Sequence, residues 1–459
     1  MRVVLLNPPS EKGYIRSGRW TRKSRGNQSW YPVWLAYATA LLEREGHECY
    51  LLDFCGIDIT YSAVYHLIKK SYQPQLIVYY FGYDTWQKDL EFADILAEGM
   101  CKVVLVGPWS YCLPDALKYT PHIQLMTYGE FEHTLLEIVQ NPNTYSTFKG
   151  TYYKNHLTGE IVKNEPRPLC SSEELDKIPF VTKIYKKHLD ISRYRQTSFR
   201  HPFVDLLTAR SCPHHCTYCV WIRAFQYEAQ HEAFGRYRTR SIEDVVEELW
   251  WIKENLPQVK QIFFQDDTLP QKRAVELSQA ILDEGLKICW GGYSRAELSY
   301  ETLKLMKESG CRTLHVGYET PIQRYLDLIQ KDITISQMKE FADNVRKLGL
   351  WTSATFMIFP WETEEEIKVT VEWCKRIKPK RMNLIQAQAY PNTPYEKTVQ
   401  EFGERYKLMS FEEMKQWEKY GFKEFYLSKE FLWDCLKSPL EWGNIYQDAK
   451  GLLSFLWSK

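Results

Sequence analysis

Along the first 140 residues, short apolar runs alternate with stretches in which apolar residues recur every three or four positions. The runs Arg2 to Leu6, Glu48 to Phe54, Gln75 to Phe81, Lys102 to Val106 and Gln124 to Thr127 have the length and composition of buried strands. Between them Trp34, Ala38, Leu41 and Leu42 repeat at helical spacing, as do Ala93, Leu96 and Ala97. This alternation predicts a doubly wound, Rossmann-like α/β domain over residues 1–140. Ligands of such sheets sit beyond the carboxyl ends of the strands. Here those ends are the turns at Asn7 to Pro9, Asp53 to Asp58, Gly82 to Thr85 and Gly107 to Ser110.

From 141 to 200 the rhythm is lost. Asn141, Pro142 and Asn143 open a segment in which Asn155 to Pro168 reads as a hairpin followed by a polar loop, and which ends near Ile178, Pro179 and the basic Lys183 to Lys187. We read 141–200 as a linker. A second βα series follows, with strands expected at Phe203 to Thr208, Lys260 to Phe264, Lys287 to Gly291, Arg312 to Gly317, Trp351 to Ile358 and Arg381 to Gln388. Ser241 is placed to cap a helix over Ile242 to Leu256, with Asp244 at the capping-box position, and Thr363 precedes a helix over Glu364 to Ile377. Six such units predict a full or partial (βα)6 barrel over 201–400, whose reactive face is at the strand C-termini. Residues 401–459 read as a small helical, aromatic-rich C-terminal region.

Composition narrows the function classes. At 459 residues the chain is long enough for several domains, and 44% hydrophobic with 25% charged residues describes an ordinary globular protein. Lys plus Arg is 59 and Asp plus Glu is 58, so no general field attracts nucleic acid. Neither a secretory signal nor an apolar run long enough to span a bilayer is visible, which predicts a cytoplasmic protein with reduced thiols. Of 12 cysteines, nine are scattered, while Cys212, Cys216 and Cys219 fall together just after the first predicted barrel strand.

Three thiolates at this spacing can ligate three irons of a four-iron cluster and leave the fourth iron open for chemistry. Zinc is the plainer alternative, but structural zinc sites take four ligands, usually as two separated pairs, and no second pair lies downstream. His214 or His215 would complete a zinc site only if the loop folded back on itself.

The pattern Cys212, Cys216, Cys219, with Tyr218 before the third cysteine, resembles the signature of the radical S-adenosylmethionine (SAM) enzymes. Further segments fall in the same order: Gly235 to Arg240, Phe263 to Thr268, Arg295 to Glu297, Gly317 to Thr320, Phe359 to Thr363 and Tyr390 to Tyr395. With the N-terminal Leu5 to Pro9, they are similar to the branch carrying a B12-binding-type domain. Within it they resemble the group of the anaerobic magnesium-protoporphyrin cyclase and the hopanoid side-chain enzymes. The resemblance implies a [4Fe-4S] cluster on Cys212, Cys216 and Cys219 that cleaves SAM to a 5′-deoxyadenosyl radical. It implies that Asp266 and Asp267 receive the methionine amino group, Arg295 its carboxylate, Glu319 the ribose hydroxyls and Tyr218 the adenine. It also implies a low-potential electron donor of the flavodoxin or ferredoxin type. The glycines usual after the fifth strand are here Phe359 and Trp361, which suggests that bulky groups narrow the pocket.

Cobalamin is the open question. B12 domains often carry an Asp-x-His-x-x-Gly stretch, and the corresponding Asp53 to Asp58 has no histidine. Where two glycines commonly admit the nucleotide tail, this chain has Gly107, Pro108 and Trp109, beside an aromatic strand end of Tyr79, Tyr80, Phe81 and Tyr83. If methylcobalamin binds, the resemblance implies C-methylation; if not, the substrate radical rearranges, cyclises or is reduced, and we lean to the second. The substrate class expected is a sugar, a cyclitol or a lipid-linked compound. From another class, the chain could be a non-catalytic iron-sulfur scaffold, though a scaffold has no use for strand-end charges such as Asp267 and Arg295. The basic run Arg16 to Arg25 reads first as a solvated loop, and the apolar Leu452 to Trp457 first as helix packing, with contact to a lipid surface as its alternative.

Overall fold

The computed structural model describes residues 1–10, 14–17, 20–23, 28–142, 144, 146–221 and 237–436. The start of the Gly235 to Arg240 segment, parts of the basic run and the whole of Leu452 to Trp457 lie outside these residues. The described residues form two compact units, one drawn from 1–195, 204–206 and 221–256, the other from 196–203, 207–220 and the described part of 257–459.

In the first unit the strands are β1 (Arg2–Asn7), β2 (Tyr14–Ser17), β3 (Trp20–Lys23), β4 (Glu48–Asp53), β5 (Leu76–Tyr80), β6 (Lys102–Val106), β7 (Leu125–Thr127), β8 (Thr151–Lys154) and β9 (Ile161–Lys163). Seven of them form one sheet in the order β4-β1-β5-β6-β7-β8-β9. Its β4-to-β7 part is parallel, and Val3, Val4, Leu5 and Leu6 are fully buried, as a strand covered on both faces requires. The hairpin expected within the 141–200 segment is present, formed by Thr151–Lys154 and Ile161–Lys163 rather than from Asn155 onward, and it extends this sheet beyond β7. Apolar alternation in such short strands is too slight to assign them a partner.

From β1 the chain steps outward to β4 and then returns past β1 to β5, so the switch point of the sheet lies between the carboxyl ends of β1 and β5. The antiparallel pair β2–β3 follows β1 directly.

Ser241 caps Ile242–Asn255 by accepting from the Asp244 N–H at 3.2 Å. The expected capping box is not closed, however. The Asp244 carboxylate pairs with Arg240 at 2.6 Å, and the Ser241 N–H goes to Asp176 at 2.8 Å. Arg238 makes two bonds to the Glu130 carboxylate, at 3.0 and 2.8 Å, so Arg238 and Arg240 anchor structure within the first unit.

The remaining strands are β10 (Phe203–Leu206), β11 (Ala209–Arg210), β12 (Arg238–Thr239), β13 (Gln261–Phe264), β14 (Trp290–Arg295), β15 (Cys311–Glu319), β16 (Trp351–Ile358) and β17 (Arg381–Gln386). A six-stranded sheet runs β10-β13-β14-β15-β16-β17, with parallel pairing from β13 to β17. This is the partial barrel order. The third strand differs from expectation: it was placed to end at Gly291, and it runs from Trp290 to Arg295. The Gly291, Gly292 pair looks like a breaker but lies inside the strand. There the Thr313 carbonyl crowds the place of a Cβ on Gly291, and Leu269 Cδ1 lies 2.6 Å from that of Gly292. Helices Pro394–Arg405, Phe411–Tyr426 and Lys429–Leu436 follow β17. Among the described residues no helix is long and apolar enough to cross a membrane.

Candidate functional site

The cysteine loop leaves β11 through Ser211, whose φ of 72° turns the chain, and is tied down at its centre, where the Thr217 N–H donates to the Ile329 carbonyl at 2.9 Å. A tight turn from Cys216 carbonyl to Cys219 N–H, 3.1 Å, brings the second and third cysteines near each other. None of the three forms a disulfide, and Cys216 is buried. Burial pushes the Cys212 thiol up to about 12, with Asp267 and the other two cysteines adding to the shift. Such a thiol ionises only against a strong positive charge, which is what a metal centre supplies. Among the described residues no three Cys, His, Asp or Glu side chains close around a single point. His214 turns to Glu297 at 3.5 Å rather than back into the loop.

Around Cys216 the structure gathers three of the expected SAM-site residues. Arg295, the last residue of β14, points Nη1 at the Cys216 sulfur, 3.6 Å away, donates Nε to Glu297 at 3.0 Å, and bonds the Lys331 carbonyl. Glu319 ends β15 with φ of 66° at a register shift. One of its oxygens accepts both the Tyr218 hydroxyl and Lys331 Nζ, each at 2.8 Å. Gly317 makes this fold-back feasible, because a Cβ there would run into the Glu319 carboxylate. Lys331 was missed by sequence reading; its signal is weak, a lone lysine in a polar turn before the Thr334 cap.

Two expectations change. Asp266 does not present its carboxylate to a ligand: fully buried, it accepts the Thr208 N–H at 2.6 Å, the Ala209 N–H at 3.0 Å and the Thr208 hydroxyl. Arg273 bonds the Thr208 carbonyl at 2.9 Å beside it. Asp266 therefore pins the start of the cysteine loop to the end of β13, a use of a strand-end carboxylate that sequence cannot tell from ligand binding. Tyr218 also stands otherwise than expected. Its hydroxyl is held by Glu319, and its ring packs on a buried cluster that includes Ile329, Met357, Phe359 and Tyr395. Asp267 is half-buried and lies close enough to Cys212 to raise its thiol.

Phe359 and Trp361, standing where glycines are usual, stack at 5.5 Å and fill the loop after β16. Next to them Glu362 accepts the Phe359 N–H at 2.8 Å, and burial pushes its carboxyl up from 4.5 to about 8. The folded chain thus holds a proton that the unfolded chain releases above pH 4.5. The stabilisation is full below that pH and is lost as pH rises through about 8. We predict that unfolding free energy falls by on the order of a few kcal/mol across this window. Glu362→Gln should flatten that slope; an unchanged slope in denaturant titrations would contradict the assignment.

A thiol set with one guanidinium at its edge and paired charges above it fits the cluster and SAM expected from the resemblance. Cobalamin fits less well in the first unit. Arg16 fills the switch point: its guanidinium donates to the Pro8 carbonyl at 2.7 Å, to Thr85 at 3.2 Å and to Asp89 at 2.8 Å, and both charged side chains are fully buried. A Cβ on Gly82 would lie 3.1 Å from Arg16 Nε, so the glycine leaves room for this insertion. At the next strand ends the Tyr80 ring lies over Gly107, 3.5 Å from the place of its Cβ, and Trp109 packs on Tyr83 and Trp221. The Asp53 carboxylate is taken by Asn7 at 2.8 Å and Tyr194 at 2.7 Å. With the turns packed this way the residues present do not fit a corrin's nucleotide tail.

Comparison with known proteins agrees with the architecture. Residues 206–374 match the profile of the radical SAM superfamily. An uncharacterized methyltransferase of Pyrococcus horikoshii is 31% identical over 404 residues, spanning 86% of this chain and 82% of that protein. The anaerobic magnesium-protoporphyrin IX monomethyl ester cyclase of Rubrivivax gelatinosus is 23% identical, covering 90% of this chain and 72% of its own. Among solved structures, the radical SAM methyltransferase TsrM from Kitasatospora setae, with cobalamin and a [4Fe-4S] cluster bound, superposes with a TM-score of 0.66. It covers 87% of this chain and 75% of that one at 15% identity, a likeness of fold.

Proposed function

The chain belongs to the radical SAM superfamily, in the branch with a B12-binding-type domain, and from that premise we propose that it activates an unreactive carbon of a small substrate without cobalamin. When bound, the cluster and SAM supply one electron and a 5′-deoxyadenosyl radical, the electron coming from a low-potential reductant. Cys212, Cys216 and Cys219 hold the cluster. Arg295, beside Cys216, is the partner for the methionine carboxylate, since a guanidinium binds a carboxylate through two parallel bonds. Asp267 serves the amino group in place of the pair first expected, because Asp266 is occupied in holding the loop. Glu319 with Lys331 and Tyr218 forms a preset hydrogen-bonding edge for the ribose.

The observation that carries the cobalamin-free part is the buried Arg16–Asp89 pair in the ligand crevice of the first sheet, together with Tyr80 over Gly107. On this reading the substrate radical rearranges, closes a ring or is reduced. Methyl transfer is the second reading, favoured by the methyltransferase name of the Pyrococcus relative. The two are separated by mixing cluster-loaded protein with hydroxocobalamin and SAM and passing it through gel filtration. We expect no corrinoid absorbance in the protein peak; one corrinoid per chain would overturn the reading in favour of methylation.

A further inference from the structure

The six-stranded sheet carries opposite charge at its two ends. Its strands from β13 to β17 are parallel, so their amino ends share one edge, and the helices Gln271–Asp283, Tyr300–Glu308, Ile335–Lys347 and Glu364–Ile377 return the chain to it. Residues 200–202 join the same edge, since the Lys260 N–H donates to the Pro202 carbonyl at 2.8 Å. The segments that form this edge, 200–202, 257–260, 283–289, 307–312, 346–350 and 375–381, hold twelve Lys and Arg against three Asp and Glu. At the carboxyl ends, segments 207–220, 265–270, 295–299, 319–334, 359–363 and 387–393 hold four against seven. A chain of net charge +1 thus concentrates an excess of nine cations on one edge.

Part of this excess has a local cause. Lys307, Arg346, Lys347, Lys375 and Arg376 occupy the last turns of helices, where the dipole favours cations, and Arg346 and Lys375 also pair with Asp343 and Glu372. Lys260, Lys287 and Lys380 stand outside any helix, so no dipole calls for them. Packing ties the edge together through rings and carbonyls. Arg312 lies over the Trp351 ring at 3.7 Å and Lys380 over the same ring at 5.7 Å, while Arg312 and Arg381 donate to the Ser198 and Thr197 carbonyls at 3.1 and 2.7 Å. Lys307 Nζ reaches the Gly349 carbonyl at 3.3 Å. Along this edge Arg200, Lys260, Lys287, Lys307 and Lys347 are exposed.

We propose that this basic edge docks the protein on an anionic lipid surface. Strands about 4.8 Å apart spread the cations of six strand ends over roughly 25 Å, at the one level that strand register sets, which matches an extended surface. Single-stranded nucleic acid asks for bare rings on which bases stack. Here Trp351 and Tyr300 are already covered, by Arg312 at 3.7 Å and Lys347 at 4.7 Å. A protein reductant docked on this edge would stand the nine residues of β15, about 30 Å, from the Glu319 end where the cysteine loop lies, so the edge is not the port for the electron donor. Salt screens charges beyond about 8 Å, so the acids of the far end do not cancel the edge, which acts with its own excess. The same separation fixes orientation: the basic edge meets the lipid, and the carboxylate-rich end with the cysteine loop faces away from it.

The test is co-sedimentation of the cluster-loaded full chain with phosphatidylcholine vesicles containing about one third phosphatidylglycerol, against phosphatidylcholine alone. We expect binding to the first and not to the second, and its loss in high salt. Lys260→Glu, Lys287→Glu, Lys307→Glu and Lys347→Glu combined should weaken it about tenfold or more, since each cation near such a surface strengthens partition about fivefold. A control set, Lys272→Glu, Lys339→Glu, Lys397→Glu and Lys415→Glu, changes net charge equally on exposed residues away from the edge and should bind as the parent does. Near-ultraviolet circular dichroism equal to the parent establishes that a variant is folded; glutamine takes the place of glutamate in one that is not. Equal binding to both vesicles, binding to neither, a folded edge variant that binds like the parent, or equal weakening by the two sets overturns the proposal. Binding of polyuridylate without binding of vesicles overturns it too, and assigns the edge to nucleic acid.

Discussion

Cys216→Ala abolishes SAM cleavage and lowers bound iron to the background of unreconstituted protein. The loop offers three thiols and no fourth ligand, His214 being turned to Glu297, so two remaining sulfurs cannot hold a cluster that needs three. Cys216 is the most exacting of the three to replace: it is buried, and its sulfur faces Arg295. Removing it takes away a cluster ligand and leaves the guanidinium opposite a methyl group. The same substitution at Cys101, a half-buried cysteine next to β6, should leave iron and turnover unchanged. Iron and sulfide analysis with product chromatography checks both, and a Cys216→Ala protein that still carries a full cluster and forms 5′-deoxyadenosine would refute the ligand assignment.

The largest stability effect is expected at Asp89. Its carboxylate accepts from Arg16, Thr85 and the Gly82 N–H at 2.6 to 2.9 Å with no exposure to solvent. Burial lifts its carboxyl above the ordinary range, and Arg16 works against that lift. Asp89→Ala leaves a buried guanidinium without its counter-charge and should cost about 3–5 kcal/mol. Replacing both partners, Arg16→Met with Asp89→Leu, removes the stranded charge and should recover most of the loss. Denaturant unfolding of the three variants measures this. If the single substitution costs no more than the double one, the pair does not hold β2 in the switch point as described.

Much of the fold was legible because strands buried on both faces are continuous apolar runs, and β1, β5 and β6 lie where those runs do. The third barrel strand was misplaced because its glycines serve close packing inside the sheet, a need set by Thr313 and Leu269, which are distant in sequence. For the site, the cysteine spacing is local and was readable. Arg295, Glu319 and Tyr218 do meet around the loop, yet their partners differ from those expected: Tyr218 binds a carboxylate rather than standing free for a base, and Asp266 binds backbone. Whether a strand-end carboxylate faces a ligand or a loop depends on where neighbouring N–H groups point, and residue type carries no trace of that. The insertion of Arg16 was likewise hidden, since an arginine in a basic run reads as solvated until its buried partner is seen.

The central claim is that the three-cysteine loop and the charges above it cleave SAM reductively. The direct measurement is the yield of 5′-deoxyadenosine and methionine from the reconstituted full chain with SAM and dithionite under anaerobic conditions. The account predicts that both form in equal amounts; a fully loaded cluster that leaves SAM intact would contradict it.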